Sequence, residues 1–344
     1  MKDMSKAEFI RHDGCTVIRM AEGRPFRILQ LTDIHIGGGF LSRKKDKMAL
    51  EAVAKIVRAA DADFVVVTGD MVYPLFMFSG TCNNLKASRK FGEAMEKLGV
   101  PWTCVFGNHD EEIVAFYKKD RLAEYYSSLE NCYFDKGDPS VTGVGNHFFR
   151  LETADGKPVN LLMMLDSNSY EGKSFFSGFD VIHDDQIDWY EKTVRENSPE
   201  GKLLPSLAFF HIPPKEFKEG WEKCYRGDPE AKYYLGFVGE KDNYFGYPKT
   251  KEGHFFRRMV KFGSCKGMFM GHDHLNTLSI EYKGIRLTYG MSIDYLAYVS
   301  MLGQIPTAKT HSQRGGTVID ISEDGTFDVS LLPLDDIAEQ SSEK

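Results

Sequence analysis

The residues of this chain best suited to chemistry come in short blocks: Thr32-Asp33-Ile34-His35, Gly69-Asp70, Gly107-Asn108-His109-Asp110, a lone His211 in Phe-Phe-His-Ile-Pro, and Gly271-His272-Asp273-His274. They offer imidazole nitrogen with carboxylate or amide oxygen, and no thiolate. That donor set suits Mn, Fe, Zn, Co or Ni and argues against a structural cysteine-rich zinc site. Side chains two apart in extended backbone point the same way, so His272 and His274 can reach one small region of space. An isolated His-x-His is more simply a polar strand end with two solvated histidines. Here five of the ten histidines end apolar runs beside carboxylates or an amide, and five coincidences are hard to credit. Seven potential ligands exceed what one tetrahedral ion takes. They suit two ions sharing a carboxylate, about 3.5 to 4 Å apart.

Positioning such a set requires strands. Apolar runs lead from Phe26 to Asp33, through Val65-Val66-Val67 to Asp70, from Pro101 to Asn108 and His109, from Ser206 to His211, and from Gly267 to His272 and His274. Each is strand-length and bounded by Gly, Pro or charged residues. Between the first two, Ala49, Val53, Ile56, Val57 and Ala60 follow an amphipathic helical period, so a βαβ unit and a partly parallel sheet are expected. Residues 183–196 predict a second helix, acidic in its first turn and basic later. Ligands of open α/β sheets gather outside the carboxyl ends of the strands, where these polar residues fall. Two hairpins, around Lys283-Gly284 and Asp324-Gly325, would be antiparallel and complete a second sheet. Residues 215–253, rich in Lys, Glu, Gly and Tyr, lack clear periodicity. They read as an insertion, either a surface decoration or a substrate-facing lid. One domain over 1–334 is expected, with 335–344 a polar, frayed tail.

At 344 residues, 42% hydrophobic and 27% charged, the composition is that of an ordinary globular protein. A formal net charge of −7 argues against nucleic acid or an anionic membrane as a general partner. Bound metal can still make a phosphate site locally attractive. The six scattered cysteines read as reduced, mostly buried thiols. With no apolar leader and no run of membrane-spanning length, a cytoplasmic location is the expectation.

Taken in order, the blocks D-x-H, G-D, G-N-H-D, H and G-H-x-H resemble the calcineurin-like metallophosphoesterase superfamily over roughly residues 26 to 290. Each block alone is weak, but the series is specific. The resemblance implies a four-layer α-β-β-α sandwich, with two mixed β-sheets and a binuclear metal site at the strand C-terminal ends. Carried over by position, Asp33, His35 and His274 would hold one metal and Asn108, His211 and His272 the other. Asp70 would bridge them, and His109 would stand beside the substrate. Gly69-Asp70-Met71-Val72-Tyr73 also matches the G-D-x-x-Y block of purple acid phosphatases, whose tyrosine binds ferric iron. Where those enzymes carry D-x-G, however, this chain has His35. His35 and Tyr73 would compete for one position, and His35 is expected to win, leaving no tyrosinate-to-iron colour. The chain looks most like the short purple-acid-phosphatase-related branch.

The expected chemistry is hydrolysis of a small phosphate monoester. Two transition-metal ions, divalent or mixed-valence and drawn from Mn, Fe or Zn, would bring about four positive charges against the two carboxylates Asp33 and Asp70. Water bridging them is acidified toward hydroxide and can attack phosphorus in line. His109 could protonate the leaving oxygen, and Asp110 could orient it or cap the next helix. A phosphodiesterase using the same site is the alternative, and a non-catalytic metal-binding scaffold a third reading. Asp166 and Asn168 could line the pocket but fit a plain turn better. Arg314 fits a surface turn better than a phosphate contact. Gly37-Gly38-Gly39 would let backbone pass close to the metals, or make a mobile loop. The stretch from Tyr73 to Gly80 reads as a loop wall or a core plug. Neither nucleic acid nor membrane is expected as a partner.

Overall fold

The computed structural model describes residues 6–12, 14–172, 178–298 and 313–337. Its strands are β1 (Glu8–His12), β2 (Cys15–Arg19), β3 (Phe26–Leu31), β4 (Phe64–Thr68), β5 (Trp102–Val105), β6 (His147–Glu152), β7 (Pro158–Met164), β8 (Ser206–Phe209), β9 (Ala231–Leu235), β10 (Cys265–Met270), β11 (Ser279–Tyr282), β12 (Ile285–Tyr289), β13 (Gly315–Ile321) and β14 (Phe327–Pro333). The helices are α1 (Arg43–Ala60), α2 (Phe76–Ser79), α3 (Asn84–Leu98), α4 (Lys119–Ser127), α5 (Asp184–Asn197), α6 (Lys215–Arg226) and α7 (Phe255–Phe262).

The side-chain pattern of the strands dictates the layering. Along β3, Phe26 and Ile28 face one way and Leu29 and Leu31 the other; along β4, Phe64 and Val66 oppose Val65 and Val67. Strands apolar on both faces must be covered on both faces. Leu29, Leu31, Val65 and Val67 pack against α1, α3 and α4. Phe26, Ile28, Phe64 and Val66 meet Leu162, Leu207, Phe209 and Phe269 of the second sheet. The far face of that sheet, with Leu161, Met163, Ala208, Met268 and Met270, is covered by α5, α6 and α7. The result is the four-layer α-β-β-α sandwich.

Both sheets are mixed. One has five strands in the order β14-β13-β3-β4-β5, and the other nine in the order β1-β2-β6-β7-β8-β10-β12-β11-β9. β3, β4 and β5 run parallel side by side, as do β8 and β10. Of the five strands that end at the candidate ligands, three thus lie in one sheet and two in the other. Among the described residues no helix is long and apolar enough to cross a membrane. All six cysteines are free, and Cys104, Cys132 and Cys265 are buried.

Two expectations need correction. The C-terminal hairpins do not complete one sheet together: β11 and β12 extend the nine-stranded sheet, while β13 pairs antiparallel with β3. Local pattern predicts a hairpin but not the sheet edge it joins. Nor does 215–253 lack regular structure. α6 buries Glu216, Phe217 and Gly220, and β9 forms the outer strand beside β11. A glycine in the buried stripe hid the helical period. The tail 335–344 lies mostly outside the described residues.

Candidate metal centre

The sharp turns that end the five strands carry the chemistry. Asp33, His35, Asp70 and His272 all have left-handed backbone, with φ of 51°, 55°, 51° and 79°. Non-glycine residues adopt that region at a cost, and such strain collects at functional sites. The turns are locked by close packing. A Cβ at Gly107 would collide with the Asp70 carboxylate, and one at Gly69 would lie 2.7 Å from both Gly107 N and the His211 ring.

The carboxyl ends of the two sheets converge. Asp33 and His35 meet His274, while Asp70 meets His211 and His272; within each trio the donor atoms lie within 4.8 Å of one another. His35 Nε2 is 3.7 Å and His274 Nε2 3.4 Å from Asp33 Oδ1. Asp70 Oδ2 is 3.0 Å from His211 Nε2, 3.7 Å from His35 Nε2 and 4.0 Å from His109 Nε2, so this one carboxylate faces both trios. Asn108 Nδ2 donates to the Tyr170 hydroxyl at 3.1 Å, which leaves its carbonyl oxygen without a hydrogen-bond partner.

Whether these residues fit metal ions can be tested on their unmet polar atoms. Both ring nitrogens of His35, Nε2 of His211 and Oδ1 of Asn108 are buried without a hydrogen-bond partner. Although His211 Nε2 stands 3.0 Å from Asp70, it is not aligned for a hydrogen bond. Burying polar atoms unpaired is costly, and His35 Nε2 and His211 Nε2, each able to present a lone pair, face the Asp33 and Asp70 carboxylates. They fit a pair of cations.

An outer shell fixes the ligands. Nδ1 of His211 donates to the Thr68 carbonyl at 2.8 Å, turning Nε2 inward. His274 Nδ1 is 3.2 Å from Asp294 Oδ2, and the Asp294 carboxylate also accepts from the backbone N–H of Leu296, Ala297 and Tyr298. The Tyr298 ring stacks on His274 at 4.0 Å. Segment 239–246 buttresses the Gly271–Asn276 turn. Gly246 N–H donates to Asp273, Gly239 N–H to Asn276, and Glu240 accepts from Leu275 N–H and the Tyr298 hydroxyl.

Burial and charge oppose each other here. Burial alone would push the Asp33 carboxyl up, but His274, His35 and His211 hold it well below the usual range. Burial opposes protonation of His211, yet Asp70 and Asp33 raise it to about 9; burial and His211 together push His272 down to about 3. His274 is likewise raised against its burial by Asp33 and Asp294. Groups raised in the folded state stabilise it fully below their unfolded pKa and lose that contribution as pH rises through the folded one. Metal-stripped protein should therefore lose thermal stability from about pH 6.5 to about pH 9. Metal binding must displace these protons, so metal affinity should fall with acidification over the same window. Melting curves of chelator-stripped and Mn-loaded protein at the two ends check both; a stripped Tm that rises between them contradicts the assignment.

His109 keeps 23% of its side chain exposed, against 1% for Asp70, so it is open to solvent where Asp70 is not. Its Nδ1 is held by the buried carboxylate of Glu112, whose second oxygen has no hydrogen-bond partner. Glu112 is a residue the sequence reading missed, although it lies three positions along the same block. Asp110 has neither role expected of it. Its carboxylate accepts from the backbone N–H of Asp70, Val72 and Gly107 and so braces two site turns, and no helix follows directly for it to cap. Burial and Asp70 raise its pKa to about 7.

The minor candidates resolve similarly. Asp166 is buried and paired with Lys119 at 2.8 Å, and Asn168 bonds the Val181 carbonyl, so both support a turn. Arg314 is neither a surface turn nor free for phosphate: it is buried, donates to the carbonyls of Ile293 and Asp294, and lies over the Tyr295 ring. The N–H groups of Gly37 and Gly38 are occupied by the Asp46 carboxylate. Tyr73 is 1% exposed and packs edge-on against His35 and His109, while α2 next to it exposes Phe76 and Met77.

Comparison with known proteins agrees with this geometry. The family model described as calcineurin-like phosphoesterase matches residues 26–276, which include every residue assigned above to the metal centre except Asp294 and Tyr298. The chain belongs to the calcineurin-like phosphoesterase family. Within the family it is similar to the Arabidopsis thaliana proteins named "Probable inactive purple acid phosphatase 29", at 25% identity over 82% of this chain and 75% of the relative, and "Probable inactive purple acid phosphatase 14", at 28% over 84% and 74%. Phosphatase DCR2 of Saccharomyces cerevisiae is 28% identical over 74% of this chain and 45% of its own length. In fold the chain resembles a dimetal phosphatase from Danio rerio, with a TM-score of 0.56 at 13% identity, covering 91% of this chain and 97% of that one. In this calcineurin-like phosphoesterase, both ligand trios and His109 are all present.

Proposed function

We propose that the chain is a dinuclear metal-dependent phosphoesterase hydrolysing small phosphate monoesters. Asp33, His35 and His274 would hold one ion, Asn108, His211 and His272 the other, and Asp70 would be shared. The observation that carries this reading is the convergence of unpaired buried donor atoms on Asp70, with the partly exposed His109 next to them. Manganese, iron and zinc suit the donors. When bound, such a pair supplies Lewis acidity toward phosphoryl oxygens and an acidified water as nucleophile.

The chain's own residues do the rest. His211 and His274 present Nε2 because their Nδ1 atoms are engaged elsewhere. His109, with Nδ1 on Glu112, directs Nε2 toward the Asp70 side, where a leaving oxygen would take its proton. Glu112 stabilises the protonated ring and fixes its orientation.

The test is kcat/KM for an aryl phosphate monoester and the matching diester on Mn-reconstituted protein. A monoester preference of about ten-fold or more is expected. Diester preference would transfer the site to a phosphodiesterase, and turnover of neither would contradict hydrolysis of simple esters.

A further inference from the structure

The well-exposed large apolar side chains among the described residues fall into two patches rather than being scattered. One lies along 225–244 and is mostly tyrosine; there Tyr233 and Tyr234 use their hydroxyls on the Gly236 carbonyl and Glu281. The other is different in kind. Each loop after β3, β4 and β5 puts bare apolar tips into solvent: Phe40 and Leu41, Phe76 and Met77, Val114 and Phe116, with Met77 76% and Phe116 67% exposed.

The three loops form one surface. Leu41 N–H donates to Ser79 O, the Phe40 ring lies over Gly80, and Phe116 N–H donates to Cys82 O. That surface borders the metal centre, because the same loops begin at Asp33, Asp70 and His109. Phe78 of α2 touches the Tyr73 ring, which packs on His35 and His109.

Cations ring the tips. Arg43 and Lys44 follow Leu41 after the buried Ser42, and Lys86 and Arg89 line a concavity beside Tyr117. These four are solvent-exposed and form no ion pair among the described residues. Of the nearby acids, Glu51 and Glu111 are taken up by Lys47 and Lys118, and Glu93 lies one turn along α3 from Arg89. Projecting apolar tips backed by unpaired cations suit a soft, anionic, apolar partner, whereas a rigid protein groove would call for a single ridge. The net charge of −7 argues against such a partner only when averaged over the chain; the local sign is reversed.

We infer that these loop tips seat the protein on an anionic lipid surface, holding the metal centre at the edge of the bilayer. The proposal concerns attachment and does not depend on which ester is hydrolysed.

Co-sedimentation of the whole chain with phosphatidylcholine vesicles, with and without phosphatidylserine, tests it at low and physiological salt. Binding is expected only to phosphatidylserine vesicles and should weaken with salt. The Phe76→Ser/Met77→Ser variant should bind at least about ten-fold more weakly, as should Arg43→Ser/Lys44→Ser, each cation contributing severalfold. Both should keep wild-type metal content and hydrolysis of a soluble aryl phosphate, which separates lost attachment from a damaged site. No binding at low salt, or equal binding by the variants, overturns the proposal. So does a concentration-dependent dimer in solution that the same substitutions abolish, since a second copy would then cover the face.

Discussion

Asp70→Asn is expected to lower kcat/KM at least about a thousand-fold and to reduce bound metal from two ions per chain toward one. A Lewis acid at the phosphoryl group supplies several kcal/mol of transition-state stabilisation, and about 4 kcal/mol is a thousand-fold in rate. The asparagine keeps the shape, and its oxygen can still accept the His109 N–H, which lies 2.8 Å from Asp70 Oδ1. What it loses is the second oxygen as an anion, the one facing His211 and His35 from between the two trios. The substitution thus isolates the bridging role from the packing role. Metal analysis by mass spectrometry alongside kinetics decides: unchanged metal content would mean that Asp70 serves only to hold the histidines.

The second large effect concerns His109. His109→Ala should cost about a hundred- to ten-thousand-fold in kcat with both metals retained, the usual range for general acid–base groups. The loss should be steepest for alkyl phosphates, whose leaving oxygen needs a proton, and shallow for nitrophenyl phosphates, whose leaving oxygen does not. Glu112→Gln should show the same leaving-group dependence on a smaller scale, about ten- to a hundred-fold. It keeps the contact to Nδ1 but removes the charge that favours the protonated ring. In the double variant the Glu112 effect should vanish, because Glu112 acts through His109. Equal losses for all leaving groups, or additive losses in the double variant, would assign Glu112 to folding alone.

Much of this site is legible in the sequence because each ligand stands at the end of a strand-length apolar run, and strands deliver their ends to one edge of a sheet. The same signal was present at Asp294, where the run Ile285–Tyr289 ends in Gly-Met-Ser-Ile-Asp, but a carboxylate without a histidine beside it gave no reason to single it out. In the sequence only its adjacency to His109 suggests a role for Asp110. Two of its three donors, the N–H groups of Asp70 and Val72, lie about forty residues back and become neighbours only when β4 and β5 pair. Glu112 is hidden for the converse reason: it is near in sequence, but only the turn after β5 brings its carboxylate to the imidazole Nδ1. The support from 239–246 was beyond local reasoning, since it depends on a segment without periodicity closing over the Gly271–Asn276 turn.

On the function proposed above, two ions and the residues around them make the catalytic unit. Titrating the metal-stripped chain with Mn while following hydrolysis of an aryl phosphate tests it directly. The expected result is turnover that appears as the second equivalent binds and stops rising at two per chain. Full turnover at one equivalent, or turnover in the stripped chain that a chelator does not remove, would contradict it.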